Sequence, residues 1–201
     1  TKEMLKKFST FSFNEMLGCL SNRLDRLVLL PLLGSNALVV YFSITTMSKV
    51  STALLGPINT ALLARLSSAN VGVVNEIFLF IKSKSIIIIL LTFVVNAIFS
   101  FCFANLFYHK YTENSLNIIL ISSAMIACRT LVSFYQIVFK RFYPSFILIE
   151  LNGINIISSV CFGLLFGNIY GLTGFSCGLL VSSIILLFAS ILIKNKIRDI
   201  K

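Results

Sequence analysis

SNRLDRLVLLPLLGSNALVVYFSITTMSKVSTALLGPINTALLARLS, residues 21–67, holds the pattern that decides the fold. It reads as two apolar helices joined by a turn at residues 31–36, with Arg23, Asp25, Arg26 and Lys49 set inside the hydrophobic runs. A charge near the centre of a membrane helix costs about 2.5–3.5 kcal/mol on insertion scales, so such a residue faces protein or water. Charges at all four positions predict a polar interior, with the rest of the chain as the wall around it.

The composition agrees. The chain has 201 residues, 57% of them hydrophobic and 12% charged, with a mean hydropathy of +0.96 and no Trp. Soluble domains carry about 25% charged residues. Apolar runs long enough to cross roughly 30 Å of hydrocarbon recur through the sequence. They are continuous, without the alternation of a membrane barrel. The expected class is all-α: one polytopic transmembrane domain over residues 1–201. A net charge of +10 would point to nucleic acid in a soluble protein, but here the cations cluster at helix ends as a topological signal, so no nucleic-acid partner is expected. Cys19, Cys102, Cys128, Cys161 and Cys177 are scattered through apolar segments without CxxC spacing, as small hydrophobes. His109 is the single histidine, too few parts for a His-based metal site or triad. No metal or cofactor is expected. No cleavable signal peptide is seen, and the opening Thr reads as the start of a piece of something longer.

Residues 9–33 form the first expected helix. At about 100° per residue, Ser12, Glu15, Cys19, Asn22, Arg23 and Arg26 fall on one arc, and Asp25 lies beside it. The second helix, 36–66, puts Tyr41, Thr45, Ser48, Thr52 and Asn59 on one face with Lys49 at its edge, and Pro57 is expected to loosen it. Residues 67–84 read as an interfacial connection, partly helical. The third helix, 85–107, is the most uniformly apolar and is expected to face lipid. The fourth, 116–139, carries Ser122, Arg129, Ser133, Gln136 and Lys140 in a narrow arc, ended by Lys140, Arg141 and Pro144. The fifth, 145–166, has Asn152, Asn155 and Ser159 on one side and Glu150 nearly opposite. A turn at 167–171 leads to the sixth, 172–193, where Gly171, Gly174 and Gly178 show the small-residue spacing of close helix contact.

Six spans place both termini on one side. That side collects Lys2, Lys6, Lys7, Arg65, Lys82, Lys84, Lys140, Arg141, Lys194, Lys196, Arg198 and Lys201, against Lys110 on the other. Both termini are therefore expected in the cytoplasm.

If the polar faces of helices one, two and four meet, Arg23, Arg26, Lys49 and Arg129 outnumber Glu15 and Asp25. Guanidinium groups match phosphate with paired donors, while Tyr41, Asn22 and the Ser and Thr hydroxyls suit sugar. An anionic, hydroxyl-rich substrate is favoured over a cationic drug. The competing view is structural: Arg23, Arg26 and Asp25 as an ion-pair cluster that fixes packing, Arg129 neutralised by Glu150, and hydroxyls bonded back to their own helix. For any one residue the structural role weighs as much. For three stripes together a solvated cavity is favoured, with Glu150 and the Asn152/Asn155 face ranked last.

The run Asn22-Arg-Leu-Asp25-Arg26, then Leu33-Gly34, Tyr41 and the small-residue helix ending at Pro57, resembles polysaccharide (O-antigen type) lipid flippases of the multidrug/oligosaccharidyl-lipid/polysaccharide exporter superfamily. It is similar to the opening of their second six-helix half. Tyr170-Gly-Leu-Thr-Gly174 resembles the turn before a late helix pair of that family. The resemblance implies transfer of undecaprenyl-pyrophosphate-linked oligosaccharide across the bacterial inner membrane for surface polysaccharide synthesis, by alternating access. Arg23, Arg26, Lys49 and Arg129 would hold the pyrophosphate, the prenyl tail would stay among the membrane lipids, and Glu15 or Asp25 would couple to an ion gradient. The family usually has about twelve helices in two repeated bundles around a midplane site, so this chain is expected to work with a second six-helix bundle or another copy of itself. The alternatives are a drug/cation antiporter of the same superfamily, a membrane-embedded glycan transferase or polymerase, and a non-transporting scaffold. No enzyme motif is found.

The charge bias generates a test of topology. Reporters after Lys201 and within 82–84 are expected to read cytoplasm, and one beside His109 the opposite side. A C-terminal reporter on the far side refutes six spans with cytoplasmic termini.

Overall fold

The computed structural model describes the backbone at residues 2–67, 71–107, 116–144 and 146–198. Side chains at 2–7, 11, 47–55, 58, 62–63, 65–67, 71–77, 80, 107 and 194–198 lie outside the described set. Five helical stretches follow one another: α1 (Lys2–Ser21), α2 (Leu24–Ser67), α3 (Val71–Phe107), α4 (Leu116–Phe142) and α5 (Phe146–Arg198). No strand occurs among the described residues. Four stretches are long and apolar enough to cross a membrane: Phe8–Thr46, Ile81–Leu106, Leu116–Phe142 and Phe146–Ile193. A chain without water must satisfy each backbone amide internally, and helices do so residue by residue. This is a helical protein with the marks of a membrane protein.

Two of the four stretches double back. Phe146–Ile193 runs for 48 residues, which as a straight helix would be roughly 72 Å, more than twice a hydrocarbon core. At Gly171 the backbone leaves helical geometry (φ 61°, ψ −139°). The limb after it packs against the limb before it: a Cβ on Gly174 would overlap the Phe166 carbonyl, and one on Gly178 the Phe162 carbonyl. Ser182 meets Ser158 at 2.6 Å and Ser159 at 2.9 Å across the same seam. The small residues at 171, 174 and 178 therefore mark close helix contact, as their spacing predicts.

Gly34 (φ 81°, ψ −179°) makes the second reversal. Tyr41 Oη donates to Asp25 Oδ2 at 3.4 Å, although sixteen residues of straight helix would hold them roughly 24 Å apart. The Arg26 guanidinium lies 4.5 Å from the centre of the Phe42 ring on the same closed hairpin. Positive φ is open to glycine at little steric cost, which is why both reversals fall on one.

α4 is the hub. Of its most apolar stretch 61% is buried, against 11% for Ile81–Leu106. Tyr135, Val138 and Phe139 pack with Phe78 and Ile81 of α3 and with Leu148, Leu151 and Leu186 of α5. Met125 and Ile126 meet Leu29, Tyr41, Phe175 and Leu179, while Ile118 and Ile119 meet Ile44 and Ala104. α3 keeps Ile86, Leu90, Leu91, Val94, Ile98 and Phe99 exposed, an apolar face suited to lipid.

Two expectations change. The connection at 67–84, expected to be partly helical, is helix throughout from Val71 onward, because Phe78 stacks on Tyr135 (6.0 Å) and packs on Phe139, extending α3 along α4. The first helix is not continuous to residue 33: the ladder breaks at 22–23, where the Arg23 amide donates to Leu20 three residues back at 3.0 Å. Pro57 lies inside α2, and Gly34 is the residue of α2 with non-helical dihedrals.

The α5 seam generates a packing test. Gly174→Ala pushes a methyl into the Phe166 backbone and is expected to cost about 1–3 kcal/mol, read as a lower thermal unfolding midpoint in detergent. Gly153→Ala, with nothing within 4 Å of its Cβ, is expected to leave the midpoint unchanged or raised.

Candidate functional site

On α4 the positions 129, 133, 136 and 140 fall three or four residues apart, so Arg129, Ser133, Gln136 and Lys140 stack along one face over roughly 16 Å. That face lines a cavity of about 530 Å³. α1 supplies the opposite wall with Asn14, Glu15, Gly18, Cys19 and Ser21, followed by Asn22 at the helix break. Asn152 and Asn155 of α5 complete the polar lining, and Asn59 of α2 reaches it as well.

Arg129 is anchored through a hydroxyl and makes no ion pair among the described residues. Its Nε donates to Ser183 Oγ at 3.1 Å, and Ser183 in turn donates to the Leu179 carbonyl at 2.9 Å. Among the described residues the one ion pair is Lys140 Nζ to Glu15 Oε1, 2.9 Å. The Arg129–Glu150 pair weighed from sequence is not formed, and Glu150 is exposed on α5. Arg129 and Lys140 against Glu15 leave the described lining with one positive charge in excess.

The amides form a second polar system. Asn152 Nδ2 donates to Asn14 Oδ1 at 3.0 Å, and Asn155 Nδ2 donates to Ser21 Oγ. Asn155 Oδ1 accepts from Ser159 (3.4 Å) and Ser182 (3.5 Å). One asparagine thus links α1 to both limbs of α5.

The site residues expected from sequence separate into groups. Glu15, Asn22 and Arg129 come together at the cavity. Arg23 is exposed at the helix break and does not line it. Arg26 rests on the Phe42 ring, and its backbone amide donates to Asp25 Oδ1 at 3.0 Å. Tyr41 is buried beneath the hairpin, bonded to Asp25 and edge-on to Phe175 (5.8 Å, 83°). Asp25 is buried with it, so both lie in the packing of the α2 reversal and outside the cavity lining, although Tyr41 packs on Met125 and Ile126, which line it. The Lys49 side chain lies outside the described residues. Asn152 and Asn155, ranked last from sequence, stand in the wall. Their signal was the Asn152/Asn155/Ser159 face itself, which matched a site as well as a structural seam. Asn14 was missed because on a straight helix it lies about 80° outside the polar arc that begins at Asn22.

Amide and hydroxyl groups around a partly buried guanidinium are suited to hold a hydroxyl-rich ligand with an anionic group. Among the described residues no cluster of His, Cys, Asp and Glu could hold a metal ion.

Asn155 generates the test of this seam. Asn155→Ala strips partners from three hydroxyls and is expected to cost about 0.6–1.7 kcal/mol, the range for hydrogen bonds between membrane helices, seen as a lower unfolding midpoint with secondary structure intact. Asn168→Ala, at an exposed position of α5, is expected to leave it in place. No protein-family model, curated protein or solved structure matches this chain.

Proposed function

We propose that this protein is a flippase for undecaprenyl-pyrophosphate-linked oligosaccharide in the bacterial inner membrane, serving surface polysaccharide synthesis. The observation that carries the reading is Arg129: a guanidinium on a membrane-length helix, anchored through Nε to Ser183, lining a polar cavity without a carboxylate partner among the described residues. A charge at such a position is costly unless it meets water, a partner or a ligand. The diphosphate is the ligand that completes it. Asn14, Asn22, Gln136, Asn152 and Asn155 meet the sugar hydroxyls, and the prenyl chain remains in lipid.

Reversals at Gly34 and Gly171 within two of the four apolar stretches support a reading with six crossings, and the placement of cations favours both ends in the cytoplasm. The remaining half of the enclosure comes from a second six-helix bundle or another copy of the chain. Arg23, exposed at the helix break, faces that partner or the water between them. Glu15 in the cavity favours a second reading, a cation antiporter of the same superfamily, but Lys140 already neutralises it.

The test is glycan display in cells, with protein abundance measured in parallel. Losing charge-assisted hydrogen bonds worth about 1.5–3 kcal/mol, Arg129→Ala is expected to lower display about tenfold or more at normal abundance. Arg129→Lys recovers part of it, because a lysine keeps the charge without the fork. Arg26→Ala, which removes a stack on Phe42, lowers display in step with abundance. Normal display by Arg129→Ala overturns the assignment.

A further inference from the structure

α1 is held in a manner unlike the other helices. Among the described residues its one substantial packing partner is α5. Of its described side chains those buried are Asn14 and Ser21, both polar, while Phe8, Phe13, Met16 and Leu20 are exposed. Among its described side chains it meets the bundle through the Asn152–Asn14 and Asn155–Ser21 bonds, and no buried apolar side chain joins it to the core. Its C-terminal end is the break at 22–23. Across the cavity stands α4, joined to α1 by the pair of Glu15 and Lys140.

We infer that α1 is the moving wall of this cavity, swinging about the break at Asn22–Arg23, with Glu15–Lys140 as the latch that holds it closed. Interdigitated apolar side chains resist sliding because packing is close. Amide and hydroxyl bonds exchange with water or ligand hydroxyls at small net cost. Hinges are a few residues at element ends that absorb the change in dihedrals, and 22–23 is such a place, where the ladder is already interrupted. The latch is weak by construction: the two side chains are 36% and 47% exposed, and exposed pairs bias an equilibrium by at most about fivefold. Lys140 shares its face of α4 with Arg129, so an anion entering the cavity competes with Glu15 for it and loosens the wall. The role assigned to this motion rests on the transport reading; the motion itself does not.

Cys19 lines the cavity on α1 and serves as the reporter. In protein retaining Cys19 and carrying Ala at the other cysteines, the rate of modification by a charged methanethiosulfonate is measured in proteoliposomes without substrate. Glu15→Gln and Lys140→Met are each expected to speed labelling about three- to fivefold. The reversed pair Glu15→Lys with Lys140→Glu, which keeps both charges, is expected to return to the parent rate. Equal rates in all variants overturn the latch. Faster labelling in the reversed pair as well overturns it too, because the effect then belongs to the altered side chains and not to their pairing. Since no substrate enters, unchanged Cys19 rates beside lost display in Arg129→Ala refute the latch alone, and the converse refutes the transport reading alone.

Discussion

What shapes this protein is the demand that each polar group inside an apolar helix find a partner. Lipid offers none, so the cost of an unmade bond is carried by the chain. Most hydroxyls solve the problem locally: Thr45 donates to the Tyr41 carbonyl, Thr130 to Ile126, Ser176 to Leu172 and Ser190 to Leu186. These bonds ask nothing of a neighbouring helix. Asn155 cannot be served that way, and it gathers Ser21, Ser159 and Ser182 from three limbs. Arg129, held by a hydroxyl of α5 and without an ion pair among the described residues, stands in the cavity wall.

The two reversals create the neighbours that this demand requires. Gly171 brings Ser182 against Ser158 and Ser159, and the glycines after it let the limbs approach to backbone contact. Gly34 brings Tyr41 to Asp25 and Arg26 to Phe42. A guanidinium on an aromatic face and a buried carboxylate bonded to a phenol are ways of keeping polar groups inside a hairpin. Such groups are spent on packing, and this separates Arg26 and Asp25 from Arg129, whose guanidinium has a hydroxyl for its anchor and no ion pair among the described residues.

α4 holds both halves of this arrangement. One side carries Tyr135, Val138 and Phe139 into the apolar core, and another presents the ladder from Arg129 to Lys140 to the cavity. A helix packed by several neighbours is a rigid wall, and α1, resting on amides, is a loose one. The cavity lies between a fixed surface and a movable surface of opposite polarity at the latch.

Residue order alone determined the helical class, the reversals near 34 and 171, the glycine contact at 174 and 178, and the polar face of α4. Each is a local property: continuous apolar runs, residues that tolerate positive φ, and a period of 3.6 are written in neighbours along the chain. What a stripe faces is not. The arc from Glu15 to Arg26 looked like one surface because a straight helix was assumed; the break at 22–23 and the hairpin at Gly34 divide it, sending Glu15 and Asn22 to the cavity and Arg26 to Phe42. Phe78 carries α3 past its apolar span because Tyr135 lies beside it. Asn152 and Asn155 became wall residues because α1 lies across them. Periodicity shows that a face is polar; only the helix laid against it decides whether that face becomes a seam, a packing contact or a cavity wall.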